Sequence, residues 1–206
     1  VAFLAKALHC AGGIMISASH NPLEDNGIKV FGSDGYKLSQ ELEKRVEALI
    51  EVDDYPRPTR GDIGKLTEEE HAVHLYMDDL KKQVALDLKG IHIALDCANG
   101  STSAYAAKLF RELGATVSSF YDQPNGININ LLCGSTFPEK IQSLTQEVGA
   151  DVGFAFDGDG DRILAVDEQG HVIDGDQILA IIGLRLLQQD KLPTRKITAT
   201  PYSNGG

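Results

Sequence analysis

The chain has 206 residues, of which 42% are hydrophobic and 24% are charged. This length holds one large or two ordinary domains, and the composition is that of a soluble globular protein. The 19 basic and 30 acidic residues leave a formal net charge of −11, which argues against sequence-independent binding of nucleic acid. An anionic substrate would therefore have to be met by local positive groups.

The cysteines and the most apolar tract point to a cytoplasmic protein. Cys10, Cys97 and Cys133 have no CxxC or histidine-paired spacing, so we expect buried thiols rather than disulfides, redox centres or zinc ligands. Residues 178–187 are apolar but short and include Arg185, so no membrane span is expected. No signal peptide is recognisable either.

The first predicted elements alternate short apolar segments with turns. Residues 1–8 are predicted to form the end of a buried helix, and residues 13–16 a short buried strand. The strand ends in the turn Ser17-Ala18-Ser19-His20-Asn21-Pro22. The carboxyl end of a strand is where α/β sheets bind ligands. A second strand over residues 28–31 follows, with Lys29 as its conspicuous charge.

Two helices and a polar connection come next. Ser39 is predicted to be the N-cap of a helix with one apolar face. Residues 53–64, with two prolines and two glycines, form a polar connection. Residues 67–70 resemble a capping box for a helix that extends to about Leu86.

From residue 91 onward, strands and helices alternate regularly. The predicted strands are 91–96, 116–121 and 151–156, and the predicted helices are 102–113 and one with Pro138 in its first turn. This order predicts a βαβ unit. A hairpin of residues 163–166 and 171–173, a helix over 177–189 and a strand-like segment at 197–200 complete the chain.

Three aspartates alternate with glycines directly after the predicted strand 151–156. The sequence there is Asp157-Gly158-Asp159-Gly160-Asp161-Arg162. Carboxylates this close repel one another unless a cation lies between them, and the glycines let the backbone turn so that they converge. Oxygen-only ligands with coordination positions left open suit Mg²⁺ better than Zn²⁺.

Two other interpretations of this loop stay open. If Asp157 is position one of a calcium loop, Glu168 falls at position twelve. Position six, however, is Arg162 rather than glycine, and the predicted flanks are strands rather than helices. The remaining interpretation is a solvated acidic turn that Arg162 neutralises.

The serine turn also has a candidate chemistry. A serine at a strand end, beside His20 and upstream of Lys29, is suited to act as a nucleophile or phosphate carrier. Taken alone, this signal is weak, because Ser17 and Ser19 could merely cap a turn. Together with a Mg²⁺ loop, phosphoryl transfer is favoured, because a phosphorylated serine can fill a coordination position that the aspartates leave open.

Both motifs resemble those of a known family, the α-D-phosphohexomutases. The serine turn followed by Asp25-Asn26-Gly27-Ile28-Lys29 resembles their catalytic serine loop, and the aspartate loop resembles their metal loop. The segment Gly126-Ile127-Asn128-Ile129-Asn130, followed by Cys133-Gly134-Ser135-Thr136, is similar to the bacterial phosphoglucosamine mutase branch.

The resemblance implies mixed-sheet α/β domains and an isomerase. Its reaction would interconvert glucosamine 6-phosphate and glucosamine 1-phosphate through a phosphoserine and a bisphosphate, a step towards UDP-N-acetylglucosamine. A phosphoglucomutase or phosphomannomutase is the alternative within the family. A noncatalytic calcium-binding module is the alternative outside it.

The resemblance also implies roles for individual residues. Ser19 would carry the phosphate and would bind Mg²⁺ together with Asp157, Asp159 and Asp161. His20 and Lys29 would donate or accept protons, or place positive charge near the phosphate. The alternatives are that His20 is an inert turn residue and that Lys29 is an inert lysine at a strand edge. Arg162 would donate hydrogen bonds to the phosphoryl group, or it would only hold the acidic loop in place.

The resemblance implies a protein of four domains, and we expect this chain to contain parts of three of them. Residues 1–86 would be the C-terminal part of the first domain, 87–191 the second domain with the metal loop, and 192–206 the start of a third. Both ends are expected to be cut, so this chain alone should turn over hexose phosphate poorly. The implied partner is a hexosamine phosphate, and the resemblance allows a homodimer of the full-length protein.

Overall fold

The computed structural model describes residues 1–52, 55–69, 71–84, 86–200 and 203. The helices are α1 (Ala2–Ala7), α2 (Gln40–Val52), α3 (Ala72–Val84), α4 (Ala106–Glu112), α5 (Pro138–Glu147) and α6 (Gly175–Gln188). The strands are β1 (Gly12–Ile16), β2 (Ile28–Gly32), β3 (His92–Asp96), β4 (Thr116–Phe120), β5 (Val152–Phe156), β6 (Ile163–Asp167) and β7 (Val172–Ile173). Short 3₁₀ turns cover Arg60–Asp62 and Ser101–Ala104.

These elements belong to two compact units. The first consists of Val1–Ala18 and Asn26–Leu86, and the second of Ser19–Asp25 and Asp87–Gly206. The predicted serine turn is therefore divided, and its part from Ser19 onward belongs to the second unit. The predicted division of a longer protein at residues 86 and 191 stays a prediction.

The first unit is built on the antiparallel pair β1–β2, which α1 contacts. Helix α1 also packs on α3, where the rings of Phe3 and Tyr76 lie 5.5 Å apart. The prediction of a buried first strand is wrong, since Ile14 and Ile16 are 67% and 71% exposed. Successive side chains of a strand point to opposite faces, and these two share a face that remains exposed. The predicted buried helix is likewise only partly buried, with Ala5 as its buried residue.

The helix starts in this unit differ in how well the sequence predicts them. Helix α2 begins as expected, because the Ser39 hydroxyl accepts a hydrogen bond from the backbone N–H of Leu42 at 3.3 Å. Helix α3 begins at Ala72, so the predicted helix start at Thr67 is wrong, while the capping box itself stays a prediction. The Glu69 carboxylate accepts from the N–H of His71 at 3.1 Å, just before the helix begins. Glu70 lies outside the described residues.

The second unit contains a mixed five-stranded sheet, which confirms the predicted fold class. The strand order is β4-β3-β5-β6-β7. Strand β3 is parallel to both β4 and β5, whereas β6 is antiparallel to β5 and to β7. Parallel strands need crossover connections, and the predicted βαβ unit supplies them through α4 and α5.

The two faces of this sheet hold two apolar clusters. Ile93 and Leu95 of β3 pack with Ala106 of α4 in one cluster. Ala94, which points to the opposite face, packs with Ile141 of α5 in the other. The alternation along β3 therefore places one helix on each face of the sheet.

The end of the chain departs from the predictions in two places. Helix α6 begins two residues before the predicted start, because Asp174 and Gln177 form a reciprocal capping box. The predicted strand at 197–200 is wrong, since no strand is assigned there. A strand needs a hydrogen-bonded neighbour, whereas Ile197 packs against α6 so closely that a Cβ on Gly183 would collide with it. No helix in the described ranges has the length and apolar character needed to cross a membrane.

Candidate functional site

The three aspartates converge at the carboxyl end of β5. One carboxylate oxygen from each of Asp157, Asp159 and Asp161 lies within 4.8 Å of the other two. Asp157 is only 1% exposed, and its Oδ1 accepts from the N–H of Arg162 at 3.1 Å. Gly160, at φ +70°, donates its N–H to the Asp157 carbonyl at 3.0 Å. The loop thus closes on itself and gathers oxygen ligands of the kind that hard divalent cations prefer.

The Ser19 hydroxyl is part of this cluster. Its Oγ donates to Oδ2 of Asp157 at 2.7 Å, although the two residues are 138 positions apart in the chain. The backbone of Ser19 is left-handed, with φ 57°. The structure therefore brings a half-buried hydroxyl against a carboxylate of the triplet, an arrangement that can hold a nucleophile beside a cation.

His20 and Arg162 also meet in the second unit. The Nη1 atom of Arg162 lies 2.9 Å from Nδ1 of His20. A guanidinium can only donate, so a hydrogen bond at this contact needs Nδ1 of His20 as the acceptor and the ring proton on Nε2. This leaves Nε2–H as the remaining hydrogen-bond donor of the imidazole.

Two further predicted site residues, Lys29 and Ser17, belong to the first unit. Lys29 is half-buried on β2, in register with Met15 of β1. The N–H of Ser17 donates to the carbonyl of Gly27 at 2.9 Å, which closes the base of the turn.

Asn130 is a residue of this site that the sequence analysis missed. Its side-chain Nδ2 donates to the backbone carbonyls of Ser19 and Asn21, both at 2.9 Å. Asn130 is 7% exposed and lies between β4 and α5. The available signal was its position in the long loop after β4, since loops at the carboxyl ends of neighbouring parallel strands lie at one edge of the sheet.

Asp96 is a second residue that the sequence analysis missed. At the end of β3, its carboxylate accepts from the N–H groups of Ala98 and Gly134, each at 2.8 Å. Complete burial raises the pKa of Asp96, against the effect of these two donors. This carboxyl group is therefore hydrogen-bonded both to the loop after β3 and to the loop between β4 and α5.

Glycine at position 158 permits the aspartate loop to lie close to the serine turn and to the loop after β4. A Cβ there would lie 2.6 Å from the Ser19 carbonyl oxygen and 2.8 Å from Cδ1 of Ile129. The Gly158 carbonyl also accepts from the N–H of Ser101 at 2.8 Å. The aspartate loop is therefore packed between the serine turn and the segment after β3.

Comparison with known proteins gives consistent matches. Two family models match, phosphoglucomutase/phosphomannomutase alpha/beta/alpha domain I over residues 1–57 and domain II over residues 74–170. Phosphoglucosamine mutase from Shouchella clausii is 51% identical over 207 residues, covering 100% of this chain and 46% of that protein. The chain thus spans about half the length of the curated relatives it matches.

Solved structures share the fold. A putative phosphomannomutase from Thermus thermophilus superposes with a TM-score of 0.72 at 23% identity, over 91% of this chain and 44% of that one. N-acetylphosphoglucosamine mutase from Aspergillus fumigatus, in complex with GlcNAc-6P and magnesium, gives a TM-score of 0.59 at 21% identity. That match covers 93% of this chain and 51% of the other.

Proposed function

The chain belongs to the phosphoglucomutase/phosphomannomutase family, and on that basis we propose that the protein interconverts glucosamine 6-phosphate and glucosamine 1-phosphate. The observation that carries this proposal is the hydrogen bond of 2.7 Å between Ser19 Oγ and Asp157 Oδ2. It puts a hydroxyl group that can carry a phosphoryl group beside three clustered carboxylates.

The sugar is proposed from the relatives. Phosphoglucosamine mutase from Shouchella clausii matches this chain along its whole length at 51% identity, which supports a hexosamine phosphate over glucose or mannose phosphate. The free thiols of the three cysteines agree with a reducing compartment, so we place the reaction in the cytoplasm.

Mg²⁺ is the cofactor that the site fits best. Ser19, Asp157, Asp159 and Asp161 would hold it. Their donors are all oxygen, and the three carboxylates lie within 4.8 Å of one another. When bound, Mg²⁺ neutralises charge on phosphate oxygens. The Aspergillus fumigatus mutase, whose complex includes magnesium and GlcNAc-6P, supports this choice.

A calcium loop fits the site less well. Within the described ranges, the cluster that could hold a metal consists of the three aspartates and does not include Glu168. The loop also runs from strand β5 to strand β6, whereas helices flank a calcium loop of the twelve-residue type.

The chain's own residues would move the phosphoryl group and the protons. In the forward step, the bond between Ser19 Oγ and phosphorus breaks while a sugar hydroxyl forms a new bond to phosphorus. The sugar hydroxyl loses its proton to a base, and the serine oxygen regains one. The second step reverses this at the other sugar position.

His20, Lys29 and Arg162 are the proposed partners of that transfer. With Nδ1 occupied by Arg162, His20 offers its Nε2–H to a phosphate oxygen or a hydroxyl group. Arg162 would add its remaining donors to the phosphoryl group. Lys29 is proposed, from its place in the motif, to take or return the proton of the reacting hydroxyl.

Phosphorylation of Ser19 in a full-length protein that contains this chain tests this function, because the chain alone is expected to turn over hexose phosphate poorly. We expect that incubation with Mg²⁺ and glucosamine 1,6-bisphosphate adds one phosphoryl group, which peptide mass spectrometry locates at Ser19. Glucosamine 6-phosphate should then remove it. Ser17→Ala should behave like the wild type, and Ser19→Ala should take up no phosphate. A phosphate found on Ser17 alone, or none on the wild type, would contradict the proposal.

Calorimetric titration tests the metal separately. The wild type should bind Mg²⁺, and Asp159→Asn should bind it about tenfold or more weakly, because one anionic ligand is lost. Asp190→Asn removes an exposed carboxylate outside the triplet and is the matched control. Tight Ca²⁺ binding without Mg²⁺ binding would support the calcium module instead.

A further inference from the structure

The side chain of Asn130 makes two hydrogen bonds to the serine turn. Nδ2 lies 2.9 Å from the carbonyl oxygens of both Ser19 and Asn21. Two carbonyl oxygens can be satisfied only by the amide NH₂ group, which has two N–H donors. The chemistry of the contacts therefore fixes the orientation of this amide, and both of its donors are used within the turn.

Ser19 has a backbone that needs such support. Its φ of 57° lies in the left-handed region, which residues with a Cβ seldom adopt unless the surroundings enforce it. In this conformation the Ser19 hydroxyl reaches Oδ2 of Asp157 at 2.7 Å. Anything that anchors the carbonyls of Ser19 and Asn21 therefore also controls where the hydroxyl points.

Asn130 is itself anchored to the central sheet. Its N–H donates to the carbonyl of Ala98 at 2.9 Å, and the N–H of Ala98 donates to the buried carboxylate of Asp96 at 2.8 Å. Asp96 is the last residue of β3. A continuous series of short hydrogen bonds thus runs from β3 through Asn130 to the serine turn.

The aspartate loop leaves little room for Asn130 to move. A Cβ on Gly158 would lie 2.6 Å from the Ser19 carbonyl oxygen and 2.9 Å from Nδ2 of Asn130. The amide is therefore held between the two loops that make up the site.

We propose that Asn130 is a positioning residue that holds Ser19 in its left-handed conformation, with the hydroxyl directed at Asp157. This inference rests on the proposed function, because it assigns a role in phosphorylation of Ser19. Asn130 would touch neither the sugar nor the transferred phosphoryl group. It would set the rate at which Ser19 reacts rather than the affinity for the sugar phosphate.

Two variants and a matched control test the proposal in a full-length protein that contains this chain. Asn130→Asp keeps the shape but places a carboxylate against two carbonyl oxygens, and Asn130→Ala removes both donors without adding charge. Asn125→Asp changes an asparagine in the same loop whose Oδ1 accepts from the N–H of Ile127 at 3.0 Å, a bond that a carboxylate also makes. Circular dichroism confirms folding of each variant.

For both Asn130 variants we expect the maximal rate of Ser19 phosphorylation by glucosamine 1,6-bisphosphate to fall about tenfold or more, with little change in KM. Hydrogen exchange should rise in residues 19–25 but not in β3 or β5. The control should match the wild type in both measurements. A purely structural role predicts instead faster exchange throughout the second unit and a normal rate for the folded fraction.

The two proposals fail in distinguishable ways. If the wild type takes up no phosphate, the proposed function fails, while exchange of residues 19–25 still reports whether Asn130 holds the turn. Unchanged exchange in both Asn130 variants would overturn the positioning role. Wild-type phosphorylation rates in both variants would overturn it as well.

Discussion

At the scale of single residues, three residues with left-handed backbone meet at the candidate site. Ser19, Ala98 and Asn130 have φ angles of 57°, 53° and 56°, and the three are joined by hydrogen bonds. For residues other than glycine this conformation costs roughly 1–2 kcal/mol each. Strain of this kind persists where surrounding contacts impose it, and it is typical of functional sites.

The burial of the three cysteines predicts how their thiols react. Burial, assisted by the charge of Asp96, raises the pKa of Cys133 to about 12, and burial also raises the pKa of Cys97. Because the thiolate is the reactive form, we expect both thiols to be inert to Ellman's reagent at pH 8 in the folded chain. Cys10 is only partly buried and should react.

The thiol count checks this directly. Native protein should give at most one rapidly reacting thiol, and protein unfolded in guanidinium chloride should give all three. The variant Cys10→Ser should give none before unfolding. Rapid reaction of a second thiol in the native chain would contradict the burial of Cys97 or Cys133.

The candidate site was predictable from the sequence where its chemistry is local. Asp157, Asp159 and Asp161 are recognisable because the alternating glycines and the preceding strand lie in the same short segment. Asn130 was not, because its partner Ser19 is 111 positions away and a position in the loop after β4 does not indicate which residue Asn130 contacts. The contact of Arg162 with His20, 142 positions away, was hidden for the same reason.

At the scale of elements, Gly153 shows how closely α5 packs on the sheet. Gly153 is a buried residue of β5. A Cβ there would collide with Oγ1 of Thr145 and would lie 2.7 Å from Cγ2 of Val166 and 3.0 Å from Cγ1 of Ile141. The spacing between the helix and the sheet is thus set by the absence of a side chain at this position.

We expect Gly153→Ala to destabilise the second unit by about 1–3 kcal/mol, because the added methyl group overpacks this interface. Gly175→Ala is the matched control, since a Cβ at Gly175, the first residue of α6, meets nothing within 4 Å. It should be neutral or stabilising by up to about 1 kcal/mol. Urea unfolding followed by circular dichroism measures both, and equal midpoints would contradict the packing argument.

The helices and strands that the sequence predicted correctly have a strong periodic pattern of apolar residues and a neighbouring element to pack against or pair with. Strands β3 to β6 and helices α2 and α5 follow the sequence pattern closely. The segment 197–200 has an apolar and β-branched pattern too, but a strand exists only where another strand pairs with it. Helix α3 begins at Ala72 rather than near Thr67, and the Glu69 carboxylate accepts from the N–H of His71 just before it.

At the scale of the whole molecule, the buried apolar residues are distributed very unequally. Both apolar clusters belong to the second unit. Among the described residues of the first unit, the buried apolar side chains are those of Ala5 and Met77. Since local stability follows the amount of buried apolar surface, the two units should differ in resistance to opening.

Hydrogen exchange followed by mass spectrometry measures that difference. We expect amides of β3 and β5 to exchange slowest, and those of β1 and β2 faster by about two orders of magnitude or more. Leu95→Ala removes a fully buried side chain, which costs about 2–5 kcal/mol, so it should speed exchange in β3 and β5 together. Leu66→Ala, at a residue 96% exposed, should change nothing. Equal protection of all four strands would show that burial within each unit does not set its stability.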